Sequence, residues 1–251
     1  MHHEHCALEA DTLVKRYKNT TIPALDGFTL QVRQGEFFGL LGPNGAGKTT
    51  AISILSNLFP PDSGTVRVMG EDLRRSPDRI KKNFGLVPQD VALYDNLTAR
   101  ENLFFFGKLC GLGGKQLRDH VERSLEFAGL GEQSRRFVAT YSGGMKRRLN
   151  LAAGLLHDPQ ILFLDEPTVG IDTQSRHLIH KQLTQLNRDG MTILYTTHYM
   201  EEAQELCSRI GIMDGGRIIE QGTPEELLHH GKCTNLEQLF LQLTGRQLRD
   251  A

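Results

Sequence analysis

The sequence predicts an α/β fold, and three observations carry that prediction. Residues 36–41 (EFFGLL) read as a buried strand, lead into a glycine-rich loop at 42–50, and are followed by helical apolar spacing over 51–58. Upstream, residues 8–17 and 28–33 alternate apolar with polar side chains, as half-buried antiparallel strands do, with Pro23 and Gly27 in the loop between them. Downstream, helical patterns fill 98–156 before short apolar strands return at Ile161 and Thr192.

The loop is Gly42-Pro43-Asn44-Gly45-Ala46-Gly47-Lys48-Thr49-Thr50, which fits the phosphate-binding pattern G-x-x-x-x-G-K-[ST]. Strand, glycine loop and helix make the geometry that phosphate binding needs. Glycines let backbone N–H groups turn inward, and the helix N-terminus adds partial positive charge. Lys48 supplies a full charge to the outer phosphates, and the Thr49 hydroxyl is a Mg²⁺ ligand candidate. A chance glycine turn before a helix is the bland alternative. The flanking strand and helix argue against it.

The bulk properties narrow the classes. At 251 residues, 39% hydrophobic and 24% charged, the chain can bury one large α/β domain or a domain with a subdomain. A formal net charge of −1 with no long basic block lends no electrostatic support to nucleic-acid or direct anionic-lipid binding. The four cysteines are scattered with no CxxC pair, so neither a disulfide framework nor a zinc site is expected. No run approaches the roughly 18 apolar residues of a membrane span. The His-containing start, Met1 to Cys6, lacks a signal-peptide core and reads as a solvated tail.

Residues 65–69 give another short strand after the breaker Pro60-Pro61-Asp62-Ser63-Gly64, and 84–87 a further one ending in Pro88-Gln89. Tyr17 lies just past the first strand, where a tyrosine either covers a sheet edge or stacks on a nucleobase. Thr98 and Glu101 form a capping box for one helix, and 115–128 is a second, closed by Gly129. Phe104, Phe105 and Phe106 are too dense for one helix face, so part of the triplet is core and part is free to meet a partner. Ser142 caps a helix running to about Leu156. Gly143 and Gly144 at its mouth would let an anion approach the free N–H groups. Lys146, Arg147 and Arg148 read most simply as a solvated helix face.

A buried strand at 161–164 ends in Asp165-Glu166. The acid at this strand end holds Mg²⁺ in P-loop proteins, which makes Asp165 the metal candidate and Glu166 the candidate that polarises water. A strand beginning at Thr192 ends near His198, on the carboxyl edge where open α/β sheets bind ligands. Strands at 209–213 and 217–220 frame the hairpin turn Asp214-Gly215-Gly216, and Thr223-Pro224-Glu225-Glu226 opens a helix.

Taken together, these residues resemble the ATP-binding cassette (ABC) ATPases, from about residue 8 to the end and in the family's order. GPNGAGKTT resembles the Walker A loop, Gln89 the Q-loop glutamine, YSGGM the LSGGQ signature and ILFLDE the Walker B strand. Gly170-Ile171-Asp172 is similar to the D-loop and His198 to the switch histidine. The resemblance implies a P-loop NTPase core with a mixed sheet over 7–234, an inserted helical subdomain at about 90–157, and a C-terminal helical tail at 235–251. It also implies a dimer, of like or related ATPases, that sandwiches two ATP molecules. Gly42 through Thr50 of one subunit would hold the phosphates, with Tyr17 stacked on adenine. Thr49, Gln89 and Asp165 would serve Mg²⁺. Ser142, Gly143 and Gly144 would cap the γ-phosphate from the other subunit, with Asp172 beside them. Glu166 would be the catalytic carboxylate, with His198 and Gln89 contributing.

Tyr141, Met145 and Thr173 depart from the usual leucine, glutamine and proline, while Ser142, Gly143 and Gly144 are intact. YSGGMKRRL, GIDTQSR, TTHYMEEAQELCSRI and the tail are similar to ATPases of bacterial drug-, lipid- or polysaccharide-export systems. That likeness implies a separate multi-helix membrane permease as partner and a peripheral place on the cytoplasmic face of the membrane. The competing class, a soluble ABC ATPase acting on nucleic acid or ribosomes, typically has paired cassettes or long coiled-coil insertions. Neither pattern is present in this sequence.

Overall fold

The computed structural model describes residues 6–18 and 20–245. The His-containing start, apart from Cys6, and the last six residues of the expected tail lie outside them. Two sheets carry the chain. The first contains β1 (Cys6–Lys15), β2 (Leu25–Arg33), β4 (Ser63–Val68) and β5 (Glu71–Asp72), in the antiparallel order β2-β1-β4-β5. The second contains β3 (Phe37–Leu41), β6 (Phe84–Val87), β7 (Ile161–Asp165), β8 (Thr192–Thr197), β9 (Arg209–Asp214) and β10 (Arg217–Gly222). Its order is β10-β9-β3-β8-β7-β6, parallel except for the β9–β10 hairpin.

The apolar runs read from the sequence follow from this layering. A parallel sheet covered on both faces needs apolar residues at every position, not at alternate ones. Phe38, Leu40, Ile161, Phe163 and Leu194 face α1 (Lys48–Leu55) and the antiparallel sheet. Phe37, Leu41, Leu162, Leu164, Ile193 and Tyr195 face the opposite layer. That layer holds α6 (Thr173–Arg188), α7 (Met200–Leu206), α8 (Pro224–Gly231) and α9 (Leu236–Thr244). A third cluster, with Leu103, Leu117, Val121, Leu125 and Leu149, joins α3 (Ala99–Leu109), α4 (Gly114–Phe127) and α5 (Gly143–Leu155). A short helix, α2 (Pro77–Lys81), precedes β6.

Most expected elements recur with shifted ends. The helix after the glycine loop starts at Lys48, not Ala51, because the loop itself supplies its first turn. Thr98 and Glu101 form the expected capping box, as do Thr223 and Glu226. Gly129 follows α4 at φ +62°, a left-handed turn that glycine adopts without penalty. The four cysteines are free. One reading is corrected. Arg147 is not on a solvated face but only 7% exposed. Three consecutive helical residues fan over about 200°, so one of a cationic trio on a packed helix must turn inward. Phe105 is the most exposed of its triplet, while Phe104 and Phe106 pack on the third cluster.

Candidate functional site

The P-loop turns where β3 meets α1. Gly45 and Gly47 have φ of +81° and +104°, so successive backbone N–H groups can converge on one side of the loop. A Cβ on Gly47 would sit 2.3 Å from the Ala24 carbonyl, and one on Gly42 would sit 2.4 Å from the Met213 carbonyl. Those two positions therefore admit no side chain. The amides of Lys48, Thr49 and Thr50 fall in the first turn of α1, where N–H groups have no partner within the helix. Lys48 is buried, and its ammonium donates to the carbonyls of Gly42 at 2.8 Å and Pro43 at 3.0 Å. This is an anion cradle suited to a polyphosphate.

The Walker B acids close the other side. Glu166 Oε1 lies 3.1 Å from Lys48 Nζ, and its Oε2 lies 3.0 Å from His198 Nδ1. Lys48, Glu166 and His198 thus form one continuous chain of contacts. Glu166 adopts φ +46°, a left-handed conformation that costs an L-residue about 1–2 kcal/mol. Its amide is held there by the Thr196 hydroxyl at 3.1 Å and the Thr196 carbonyl at 3.2 Å. The same hydroxyl donates to Asp165 Oδ1 at 2.6 Å. Thr196 is thus a site residue that sequence reasoning missed. Its role arises only from the pairing of β7 with β8, in the register that sets Asp165 opposite it.

The donors near the loop suit a small hard cation. The Asp165 carboxylate has a second oxygen beyond the one bonded to Thr196, and the Thr49 hydroxyl is exposed on the first turn of α1. Among the described residues there is no His, Cys, Asp and Glu cluster that could hold a metal without help. Oxygen donors shared between a protein and a phosphate chain match Mg²⁺, which keeps waters and binds through one or two protein oxygens. Gln89 lies just past β6 with its side chain exposed. Tyr17 is 43% exposed, its ring edge against Phe59 and its hydroxyl 3.2 Å from Thr50 Oγ1. Its exposed ring lies beside the P-loop helix.

A second group forms at the mouth of α5. Ser142 is the N-cap and accepts from Met145 N, leaving its own side chain and Gly143 exposed. Gly144 packs against the start of α6, where a Cβ would come within 2.0 Å of Ser175 Oγ and 3.0 Å of Asp172 Oδ2. Asp172 caps α6 by accepting from Ser175 N at 2.9 Å and Ser175 Oγ at 2.7 Å. These bonds, led by the backbone one, hold its carboxyl below the usual carboxylate range. No hydrogen bond or ion pair among the described residues joins Ser142, Gly143 or Gly144 to the P-loop. The P-loop and the mouth of α5 are thus two groups suited to anions, without a direct bond between them among the described residues.

Arg147 ties α5 to two neighbouring loops. One guanidinium nitrogen donates to the Gln89 carbonyl at 2.6 Å and the Pro88 carbonyl at 3.3 Å, the other to the Val169 carbonyl at 3.4 Å. Burial draws its pKa down from the ordinary arginine value against the pull of Asp90. The signature helix therefore grips both the Gln89 loop and the turn leading to Asp172.

Comparison with known proteins places the chain in a family. The ABC transporter family matches residues 25–169. The linearmycin resistance ATP-binding protein LnrL of Bacillus subtilis is 46% identical over 97% of this chain and 76% of its own length. The Nod factor export ATP-binding protein I of Paraburkholderia xenovorans is 46% identical over 88% of this chain and 72% of its own. Among solved structures, a dimeric post-hydrolysis ATP-binding cassette bound to ADP and Pi superposes with a TM-score of 0.78 at 27% identity. It covers 86% of this chain and 98% of that one. A chain that pairs a P-loop with a Walker B acid and a signature helix, and matches these proteins over most of its length, belongs to the ABC transporter family, as one of its ATP-binding, ATP-hydrolysing cassettes.

Proposed function

We propose that the chain is the ATPase subunit of an exporter, working as a dimer in which each ATP is held by the P-loop of one copy and the signature helix of the other. The observation that carries this reading is the separation of the half-sites. Lys48, the loop amides, Asp165, Glu166 and His198 stand together, while the exposed mouth of α5 at Ser142 and Gly143 has first-turn N–H groups with no anion partner among the described residues. A second copy in two-fold relation supplies what each lacks.

In this reading Lys48 and the amides of Gly45 to Thr50 neutralise the β- and γ-phosphates, with Gly42, Pro43 and Asn44 shaping the turn. Tyr17 stacks on the base. Thr49, Asp165 and Gln89 serve Mg²⁺, which would offset charge between the outer phosphates. Glu166 takes the proton of the attacking water as it adds to the γ-phosphorus and ADP leaves. His198, hydrogen-bonded to Glu166, faces the same phosphate. Ser142, Gly143, Gly144 and Asp172 of the second copy complete the enclosure. Most of the rate gain comes from positioning and charge, as in phosphoryl transfer generally. Residues 7–234 form the ATPase unit, 90–157 its inserted helical arm and 235–251 the tail.

If the site needs two copies, ATPase rate per chain should fall on dilution below the dimer dissociation constant, in step with loss of the ATP-dependent dimer mass. A constant specific rate from a species of monomer mass in ATP would defeat the composite-site reading.

The relatives' names, linearmycin resistance and Nod factor export, support the exporter reading over nucleic-acid or ribosome work. The reading includes a separate permease on whose cytoplasmic side the dimer sits; no helix among the described residues is long and apolar enough to cross a membrane. Tyr94 and Phe105 pack edge to face with ring centroids 4.9 Å apart, and both are partly exposed beside the Gln89 loop. We place the permease contact there. Phe105→Glu should leave the fold and the basal ATPase of the isolated chain intact and abolish co-purification with the permease. Unchanged co-purification would remove this surface from the reading.

A further inference from the structure

The end of β8 and the residue after it, Tyr195 to His198, send their side chains alternately to two sides of the sheet. Thr196 and His198 reach the Walker B acids, at 2.6 Å to Asp165 Oδ1 and 3.0 Å to Glu166 Oε2. Tyr195 and Thr197 reach the other way, to one buried carboxylate oxygen, Glu202 Oε2, at 2.7 and 3.1 Å. The Thr168 hydroxyl, two residues past Glu166, donates to the same oxygen at 2.9 Å. Glu202 Oε1 faces α6, with His180 Nε2 at 3.5 Å and Arg176 Nε at 3.6 Å. Burial pushes the Glu202 carboxyl up, but His180, Tyr195 and Thr168 outweigh it and hold it below the ordinary range. Tyr195 keeps its proton, since burial and Glu202 together push its pKa far up. One carboxylate thus ties four segments together: the turn after Glu166, the end of β8, α6 and α7.

We propose that Glu202 is a positioning residue for hydrolysis, fixing the backbone on which Glu166 and His198 stand. It touches neither. It clamps their neighbours Thr168 and Thr197 from the far side of the sheet, and its other oxygen couples that clamp to the helix capped by Asp172. This rests on the reading of Glu166 and His198 as the hydrolytic pair. A carboxylate serves because its charge strengthens each of the three hydroxyl bonds that converge on one oxygen, and an amide carries none.

The test is a double-mutant cycle on full-length chain with ATP. Glu202→Gln should lower kcat roughly ten- to a hundredfold, the scale on which small misplacements act, with KM for ATP unchanged. In a His198→Ala background the same substitution should have a smaller effect, because one of the two side chains it positions has gone. Equal losses in both backgrounds, or a rise in KM with unchanged kcat, would overturn the proposal. If Glu202→Gln does not fold, Tyr195→Phe removes one hydroxyl and no ring volume, and runs the same cycle. A Glu166→Gln chain that still hydrolyses ATP would sink the hydrolytic-pair reading instead, so the two failures are distinguishable.

Discussion

Glu166→Gln should retain ATP binding, accumulate an ATP-bound dimer and lose hydrolysis by roughly 10²–10⁴-fold, the range a positioned general base contributes. The structure gives a reason to expect a clean effect. Glu166 and Lys48 are both buried and 3.1 Å apart, and although glutamine removes the carboxylate charge, Lys48 keeps its bonds to the Gly42 and Pro43 carbonyls. Glutamine has the same shape and retains an amide oxygen for Lys48 and an amide nitrogen for His198. It keeps the hydrogen bonds and loses the basicity. The backbone strain at φ +46° is held by Thr196, which the substitution does not touch. Binding measured with labelled ATP, turnover measured by released phosphate and mass measured by light scattering separate the three claims. Wild-type turnover in this variant would remove Glu166 from the role.

The part of the site that local sequence can express is legible in the amino-acid order itself. A P-loop is a contiguous segment whose glycines, lysine and threonine act through their own backbone, and a capping box needs only three-residue spacing. Apolar runs of four or five residues likewise announce β3, β6 and β7, because a sheet covered on both faces leaves no polar alternation. What stays hidden depends on pairing between distant segments. Thr196 matters because the β7–β8 register sets it opposite Asp165, and register has no local signature. Arg147 matters through backbone carbonyls, which every sequence has and which therefore leave no trace. Glu202 is, in the sequence, one of several acids on a polar helix, and only the convergence of four segments on it sets it apart. The helices α6 and α7 are faint in the sequence for a related reason. Their fully buried residues are few, Ile179, His180 and Leu183 on one and Glu202 and Ala203 on the other, so the apolar stripe is narrow and partly made of ionisable groups.

Ser142→Arg should abolish ATP-driven dimerisation and hydrolysis while leaving nucleotide binding by the single chain. Ser142 caps α5 through a bond from Met145 N, and losing such a cap costs about 1 kcal/mol. In a domain of this size that lowers Tm by only about 2–4 °C. Ser142→Ala removes the cap and the hydroxyl without adding bulk or charge, and should still dimerise. Arginine adds what alanine does not: a long cation at a helix mouth that already carries roughly half a positive charge, standing where the second copy must close. The decisive measurement mixes the two inactive chains. A Ser142→Arg chain keeps Lys48 and Glu166, and a Glu166→Gln chain keeps Ser142. Their heterodimer therefore holds one complete site, built from the P-loop of the first and the signature helix of the second. Hydrolysis should return in part on mixing, because the heterodimer carries the Ser142→Arg substitution at one of its two faces and not at both, although neither chain hydrolyses alone. If each chain instead carried its whole site, no mixture could recover activity, and a silent mixture that demonstrably contains heterodimer would end the two-subunit account.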